Sequence, residues 1–337
     1  MTFGSAARRG QPGDFAVRLA RVERLLAAPG RGGGAAGPLA LVASVLRFQA
    51  ARSAAPAVVA AAGAVAAGAE LLKAAGRFPL LDLAAAVTPV ADEIPLSVTA
   101  LTGAAPAGGR AAAPPGRGES TEAPAAPLHE ASSGRSAPTG AAAATLLPEP
   151  LTAAGLALCE AGGTERGGLV EAWLEDPAGP EPVLGFWVRV AAGPILEAAR
   201  AAIATPSRDD WTGAACPACG GPAQVSVIAE ESGEFMGGSP RSLVCGRCAG
   251  WWAFPRAICD WCSEADPGRL PSFVPDERRA VRIDGCETCG HYVKTFDLRE
   301  PGAAELVPLV DDVATVSLDL WAHDQGLARP LVSFAGV

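Results

Sequence analysis

Lysine is almost missing from this chain. Lys73 and Lys294 are the two present, and arginine supplies the rest of the 27 basic residues. Against 36 acidic residues this leaves a formal charge of −9. That balance argues against a protein whose task is to coat a polyanion, because such binding rests on neutralising phosphates. Histidine is scarce too: His129, His291 and His323 lie far apart. No nucleophile–base pair stands out. The glycine clusters near Gly32 and Gly162 lack the strand–turn–helix setting of a phosphate loop. No catalytic and no cofactor-binding residue is therefore assigned, and an ordinary enzyme is the weakest reading. An apolar leader is missing as well: after Arg8 and Arg9 no hydrophobic stretch follows, which predicts a chain without a secretory signal. The longest uncharged apolar run, 53–69, is mostly alanine and is broken by Pro56, Gly63 and Gly68. It is short and weakly hydrophobic for a bilayer span, and predicts a packed helix or helical hairpin with no membrane insertion.

What is present begins with helices. Asp14 is placed to cap a first helix, with Phe15, Leu19, Val22 and Leu26 at helical spacing. Arg18, Arg21 and Arg24 are expected on its solvated faces. A second helix starts near Pro38 and carries Val42, Val45, Leu46 and Gln49. Ala-rich helix follows to about Lys73. Short helical pieces, punctuated by Pro89 and Pro95, are expected up to Leu101. Helix resumes at about 146 and runs to 204, with Trp173, Phe186, Trp187, Val190, Ile195 and Leu196 as core anchors. Cys159, alone on this stretch, predicts a buried structural thiol. A last helix is expected over 309–325 with Leu309, Val313, Val316 and Leu320 on one stripe. Asp311 and Asp312 would sit in its first turn, where the helix dipole favours negative charge. Gly326 would end it, and His323 would be a surface residue.

Between residues 103 and 145 no aromatic residue and no periodic pattern occurs. Such a stretch cannot bury enough apolar area to offset its ordering entropy, and predicts a disordered linker or insertion. The expected organisation is a helical domain in two parts (1–102 and 146–206) around that linker (103–145). Two small metal modules (207–255 and 256–300) and a C-terminal helix and tail (301–337) follow. The fold class is α+β.

Eight of the nine cysteines fall into four C-x-x-C pairs: Cys216/Cys219, Cys245/Cys248, Cys259/Cys262 and Cys286/Cys289. A C-x-x-C turn brings two thiolates to one ion, and four sulfurs complete a closed tetrahedral shell for zinc or iron. Two pairs make one site, so four make two. The gaps inside the halves are 25 and 23 residues, with 10 between the halves. That near-repeat points to sequential pairing in two tandem rubredoxin- or ribbon-like units; crossed and nested pairings are the alternatives. A shell of four cysteines leaves no position open to water, so the metals are either structural or carry one electron. The interleaved Trp251, Trp252, Phe254, Arg256 and Trp261 can stack bases or fill the core of a small domain. Over 207–300 acidic residues outnumber basic ones, which favours the core. Arg256 and Lys294 are placed either to offset thiolate charge or to serve packing.

The linked set of Cys216-Pro217-x-Cys219-Gly220, Cys245/Cys248, Trp251 or Trp252, Arg256, Cys259/Cys262, Cys286/Cys289, Tyr292, Lys294, Asp311, Asp312, Leu318 and Asp319 resembles the formate dehydrogenase accessory protein family (FdhE). It covers about a third of the chain. The helical half resembles the family only loosely, as at Leu46–Gln49, and Ser263 stands where a glycine often follows the third pair. The resemblance implies a cytoplasmic maturation factor, chaperone-like, acting on a formate dehydrogenase catalytic subunit before export. It also implies iron or zinc on the eight paired cysteines. A rubredoxin-like electron carrier and a zinc-ribbon nucleic-acid binder are the alternatives. Whether the chain forms a homo-oligomer is left open.

Overall fold

The computed structural model describes residues 11, 13–28, 34–104, 147–229, 241–276 and 279–336. Apart from Gly103 and Ala104, the expected linker with His129 lies outside the described residues, as do the first ten residues. Among the described residues eight α-helices precede the cysteine region: α1 (Phe15–Ala27), α2 (Ala36–Ser53), α3 (Pro56–Ala66), α4 (Ala69–Ala74), α5 (Val87–Thr102), α6 (Glu149–Glu160), α7 (Gly163–Glu175) and α8 (Pro182–Ala201). Six strands follow: β1 (Ala223–Ile228), β2 (Arg241–Cys245), β3 (Trp251–Phe254), β4 (Ser272–Phe273), β5 (Val281–Gly285) and β6 (Tyr292–Asp297). Two short helices, α9 (Pro308–Ala314) and α10 (Val316–Asp324), come last.

α8 is the hub of the helical half and packs against α2, α3, α5, α6 and α7. Trp187, Val190, Ile195 and Leu196 are fully buried on it, and Trp173 on α7. Phe186 is only half-buried. The helix also contains Pro194, whose missing N–H strands the carbonyl of Val190 one turn back. Gln49 Nε2 on α2 donates to that carbonyl at 3.1 Å. Gly193 makes the approach feasible: a Cβ there would lie 2.2 Å from the Gln49 amide nitrogen. α5 repeats the arrangement. Pro95 frees the carbonyl of Ala91, and Arg166 Nε on α7 donates to it at 3.1 Å. α5 is thus one helix of 16 residues where short pieces were expected. Pro89 lies in its first turn, where no N–H is needed.

Asp14 caps α1 by accepting from the Val17 N–H. Two of its arginines depart from expectation. Arg18 is buried against Glu197 of α8, and Arg21 forms a two-pronged pair with Asp311 of α9 at 2.7 and 3.0 Å. Helical periodicity identified the apolar stripe but not that α1 lies between two acidic partners. Leu26, expected on the stripe, is exposed, and Cys159 is half-buried at the core margin. Two helical stretches, Pro56–Ala74 and Pro182–Ala201, are long and apolar enough to cross a bilayer. The first exceeds the run read from sequence but turns at Ala67–Gly68, and the second is the core hub α8.

The strands form one sheet in the order β3-β2-β1-β6-β5-β4. All neighbours are antiparallel except β1 and β6, which pair in parallel from Val225↔Lys294 to Ile228↔Asp297. The near-repeat of the sequence is visible here. Each half runs cysteine turn, strand, antiparallel strand, cysteine turn, strand. The sheet is covered on both faces. Leu243, Trp252 and Phe254 join the helical core. Val225, Val227, Val244, Trp251 and Phe296 pack under Leu306, Leu309 and Leu318.

The C-terminal helix expected over 309–325 is broken at Thr315. The Thr315 hydroxyl donates to the carbonyls of Asp311 and Asp312, and Lys294 Nζ donates to that of Asp312 at 2.5 Å. These carbonyls find side-chain donors at the point where the helix stops. Leu320 lies on the exposed side of α10. His323 is exposed and Gly326 takes φ +77°, both as expected.

Candidate metal centres

The eight paired cysteines gather sequentially into two groups: Cys216, Cys219, Cys245, Cys248 and Cys259, Cys262, Cys286, Cys289. In the first, Sγ–Sγ separations are 3.7 Å (Cys216–Cys248), 3.4 Å (Cys219–Cys245) and 3.5 Å (Cys219–Cys248). In the second they are 3.8 Å (Cys259–Cys289) and 3.7 Å (Cys262–Cys286). A disulfide needs about 2.05 Å, and all eight are free thiols. Four sulfurs each about 2.3 Å from one ion, at the corners of a tetrahedron, lie about 3.8 Å apart. The five shortest contacts match that edge length and every sulfur of a group lies within 4.8 Å of the others, so the donor sets fit a zinc or iron ion in size and in chemistry.

Each turn reaches this geometry in the same way. The N–H of the first cysteine donates across the turn, as Cys216 N to Gly221 O (2.9 Å) and Cys286 N to His291 O (2.8 Å). The residue after the second cysteine takes a left-handed conformation: Gly220 (φ +69°), Ala249 (+53°), Ser263 (+64°) and Gly290 (+70°). Glycine adopts this freely, while Ala249 and Ser263 hold it against their own Cβ. Backbone N–H groups point at sulfur, as from Arg247 to Cys245 (3.3 Å) and from Trp261 to Cys259 (3.4 Å).

The surroundings of the two groups differ. All four cysteines of the first are buried and belong to the main core with α5, α7 and α8. The first turn is also stitched to the helical half, where the Leu80 and Leu81 N–H groups donate to Pro217 and Ala218 carbonyls at 3.0 and 2.9 Å. Burial pushes the Cys216 thiol well up. Cys245 is held well below the usual thiol range, because hydrogen bonds from Cys216, Cys219 and Cys248 outweigh its burial. In the second group Cys259 and Cys286 are buried, whereas Cys262 and Cys289 are exposed. The exposed Trp261 stacks on His291 beside them, ring centres 5.8 Å apart. A cavity of about 170 Å³ is lined by Cys259 and Cys286 together with Arg256, Arg282, Asp284 and His291, among others.

Residues 259–334 match the family model described as "FdhE, C-terminal domain". Curated relatives called "Protein FdhE homolog" align over parts of the chain. That of Aquifex aeolicus is 36% identical over 37% of this chain and 43% of its own length. That of Pseudomonas putida is 36% identical over 34% and 36%. The resemblance is to the FdhE family. The matched stretch spans less than half the length of these FdhE relatives. A crystal structure of the FdhE protein from Pseudomonas aeruginosa agrees in fold over 97% of both chains, with a TM-score of 0.60 at 20% identity.

The other residues of the FdhE-like signature converge away from the sulfurs. Lys294 is fully buried; its Nζ lies 2.8 Å from Asp312 Oδ1 and 2.6 Å from Asp319 Oδ2. Arg329 joins both carboxylates at 3.0 and 3.3 Å, and the Tyr292 hydroxyl donates to Asp319 at 2.8 Å. Burial would raise the Asp312 carboxyl, but Arg329 and Lys294 hold it below the usual range. This network clamps α9 and α10 onto β6. Lys294, expected either to offset thiolate charge or to serve packing, therefore pairs with carboxylates, and Asp312 does more than satisfy a helix dipole. Arg256 is exposed and lines the same cavity as Cys259. Trp251, Trp252 and Phe254 are core residues, as the charge balance favoured, but Trp261 is 55% exposed.

Sequence reasoning missed the cations near the first group. Arg200 is buried; a Cβ on Gly250 would touch both its Nε (2.8 Å) and Cys248 Sγ (3.2 Å). Burial lowers the Arg189 guanidinium to about 10, against the opposing pull of Asp312 and, more weakly, Cys245. It also missed the triad at the second group, where Asp260 accepts from Arg241 (3.3 Å) and meets His291 Nε2 (3.3 Å). Arg247 and Asp260 lie inside C-x-x-C turns and were visible to inspection. Arg189 and Arg200 come from α8 and carried no local signal.

Proposed function

We propose that this protein is an accessory factor for a formate dehydrogenase, acting on its catalytic subunit in the cytoplasm before export. In this reading Cys216, Cys219, Cys245 and Cys248 hold one iron or zinc ion, and Cys259, Cys262, Cys286 and Cys289 hold a second. The observation that carries it is two groups of four sulfurs, each within 4.8 Å of one another and with nearest separations of 3.4–3.8 Å, in a chain whose residues 259–334 match the FdhE C-terminal domain. Such an ion supplies structural closure and, if it is iron, one electron. The protein's own residues supply a rigid cage and a surface at Trp261 for a client. The reading is non-enzymatic and needs neither nucleic acid nor membrane insertion. Deleting the gene is expected to abolish formate dehydrogenase activity while leaving transcription of the subunits intact; full activity in the deletion strain refutes it.

A second reading, a rubredoxin-like electron carrier, is favoured by one observation: the second group opens to solvent at Cys262 and Cys289. Anaerobic purification decides it. About two irons per chain with a reversible couple supports it, and zinc alone rules it out.

A further inference from the structure

The two sulfur cages share one donor set and almost one geometry, yet they differ in access. The first is buried, and a cavity of about 40 Å³ meets it at Cys245 alone of the four. Its cysteines are at most 2% exposed, lie in the main core, and are tied by backbone hydrogen bonds to residues 80 and 81. Reaching its ion requires opening that core. The second presents Cys262 and Cys289 to solvent, and Cys259 and Cys286 line the cavity of about 170 Å³. No cysteine of the second group belongs to any hydrophobic core cluster among the described residues.

Resting on the reading that each group holds one metal ion, we infer that the second is an exchange site for soluble thiols, whereas the first is a permanent part of the fold. A ligand that competes with four thiolates must itself be a soft sulfur donor. In the exchange a thiol from solution bonds to the ion through its sulfur as the bond from Cys262 or Cys289 breaks. The proton of the entering thiol passes to the cysteine sulfur that leaves, so sulfur count, charge and oxidation state are conserved. These two residues are the replaceable pair, because an entering sulfur can reach the ion at their edge without unfolding anything. Cys259 and Cys286 stay as the anchors.

The test uses the full chain. Elemental analysis comes first: about two ions per chain are expected, and fewer than two after anaerobic reconstitution would overturn the two-ion reading before exchange is measured. Loaded protein is then mixed with reduced glutathione and a colorimetric chelator. One equivalent should leave on the order of tenfold or more faster than the other, since the slow one waits for local opening of the core. Cys262→Ser and Cys289→Ser should abolish the fast phase while leaving the slow equivalent and the far-UV circular dichroism in place. Release of both equivalents in one phase, or a fast phase that persists in both variants, overturns the inference. Wild-type protein provides a check that needs no variant. Brief alkylation followed by mass mapping should label Cys262 and Cys289 ahead of Cys216, Cys219, Cys245 and Cys248; the reverse order refutes it.

Discussion

The two cysteine groups are close in sequence spacing and in sulfur geometry, but they belong to the molecule in different ways. The first is built into the core that α8 organises: Cys216, Cys219, Cys245 and Cys248 touch the same cluster as Trp173 and Trp187. The second is held by its own turns, by β5 and β6, and by the Asp260–His291 contact, with two sulfurs at the surface. Equal spacing therefore does not mean equal role. What separates the groups is the neighbour each half of the sheet acquires: β2 and β3 lie against the helical half, while β4 is an exposed edge.

The comparison breaks most readily at Cys219. Cys219→Ser should remove a sulfur from a closed, buried cage and cost a large share of the 10–16 kcal/mol or so that structural zinc contributes to small folds. Loss of cooperative unfolding and of soluble yield would show it. Cys262→Ser should leave a folded protein, and equal damage from both variants would erase the distinction. Next in size is Lys294→Met, which leaves the buried Asp312 and Asp319 to share the Arg329 cation, with neutral donors from Gln224 and Tyr292. About 3–5 kcal/mol is expected in denaturant titration, with α9 and α10 loosened and both cages retained. Smaller again is Gln49→Leu, which orphans the Val190 carbonyl at Pro194 for about 1–3 kcal/mol. It loosens α8 beneath the first cage, so the slow metal equivalent should leave faster and the fast one unchanged. The smallest is Ser263→Gly, which relieves a left-handed residue at an exposed turn and should stabilise by about 0.5–1 kcal/mol in thermal melts.

The α1 and α2 stripes and the sequential pairing were legible because each rests on local periodicity or on fixed spacing. The helix over Val87–Thr102 was not, because its proline is tolerated only through Arg166 from another helix. The break at Thr315 was hidden for the same reason, since Lys294 reaches it from β6. Arg18 and Arg21 looked solvated because their partners, Glu197 and Asp311, lie 179 and 290 residues away.

The sequence by itself determined that eight cysteines would form two fourfold sulfur sets, because a C-x-x-C turn is a local device whose geometry does not depend on distant chain. The tertiary structure alone decided which set is sealed and which is open. Access to a sulfur depends on what packs over it: α8 and residues 80 and 81 seal the first set, while no hydrophobic cluster among the described residues closes over the second.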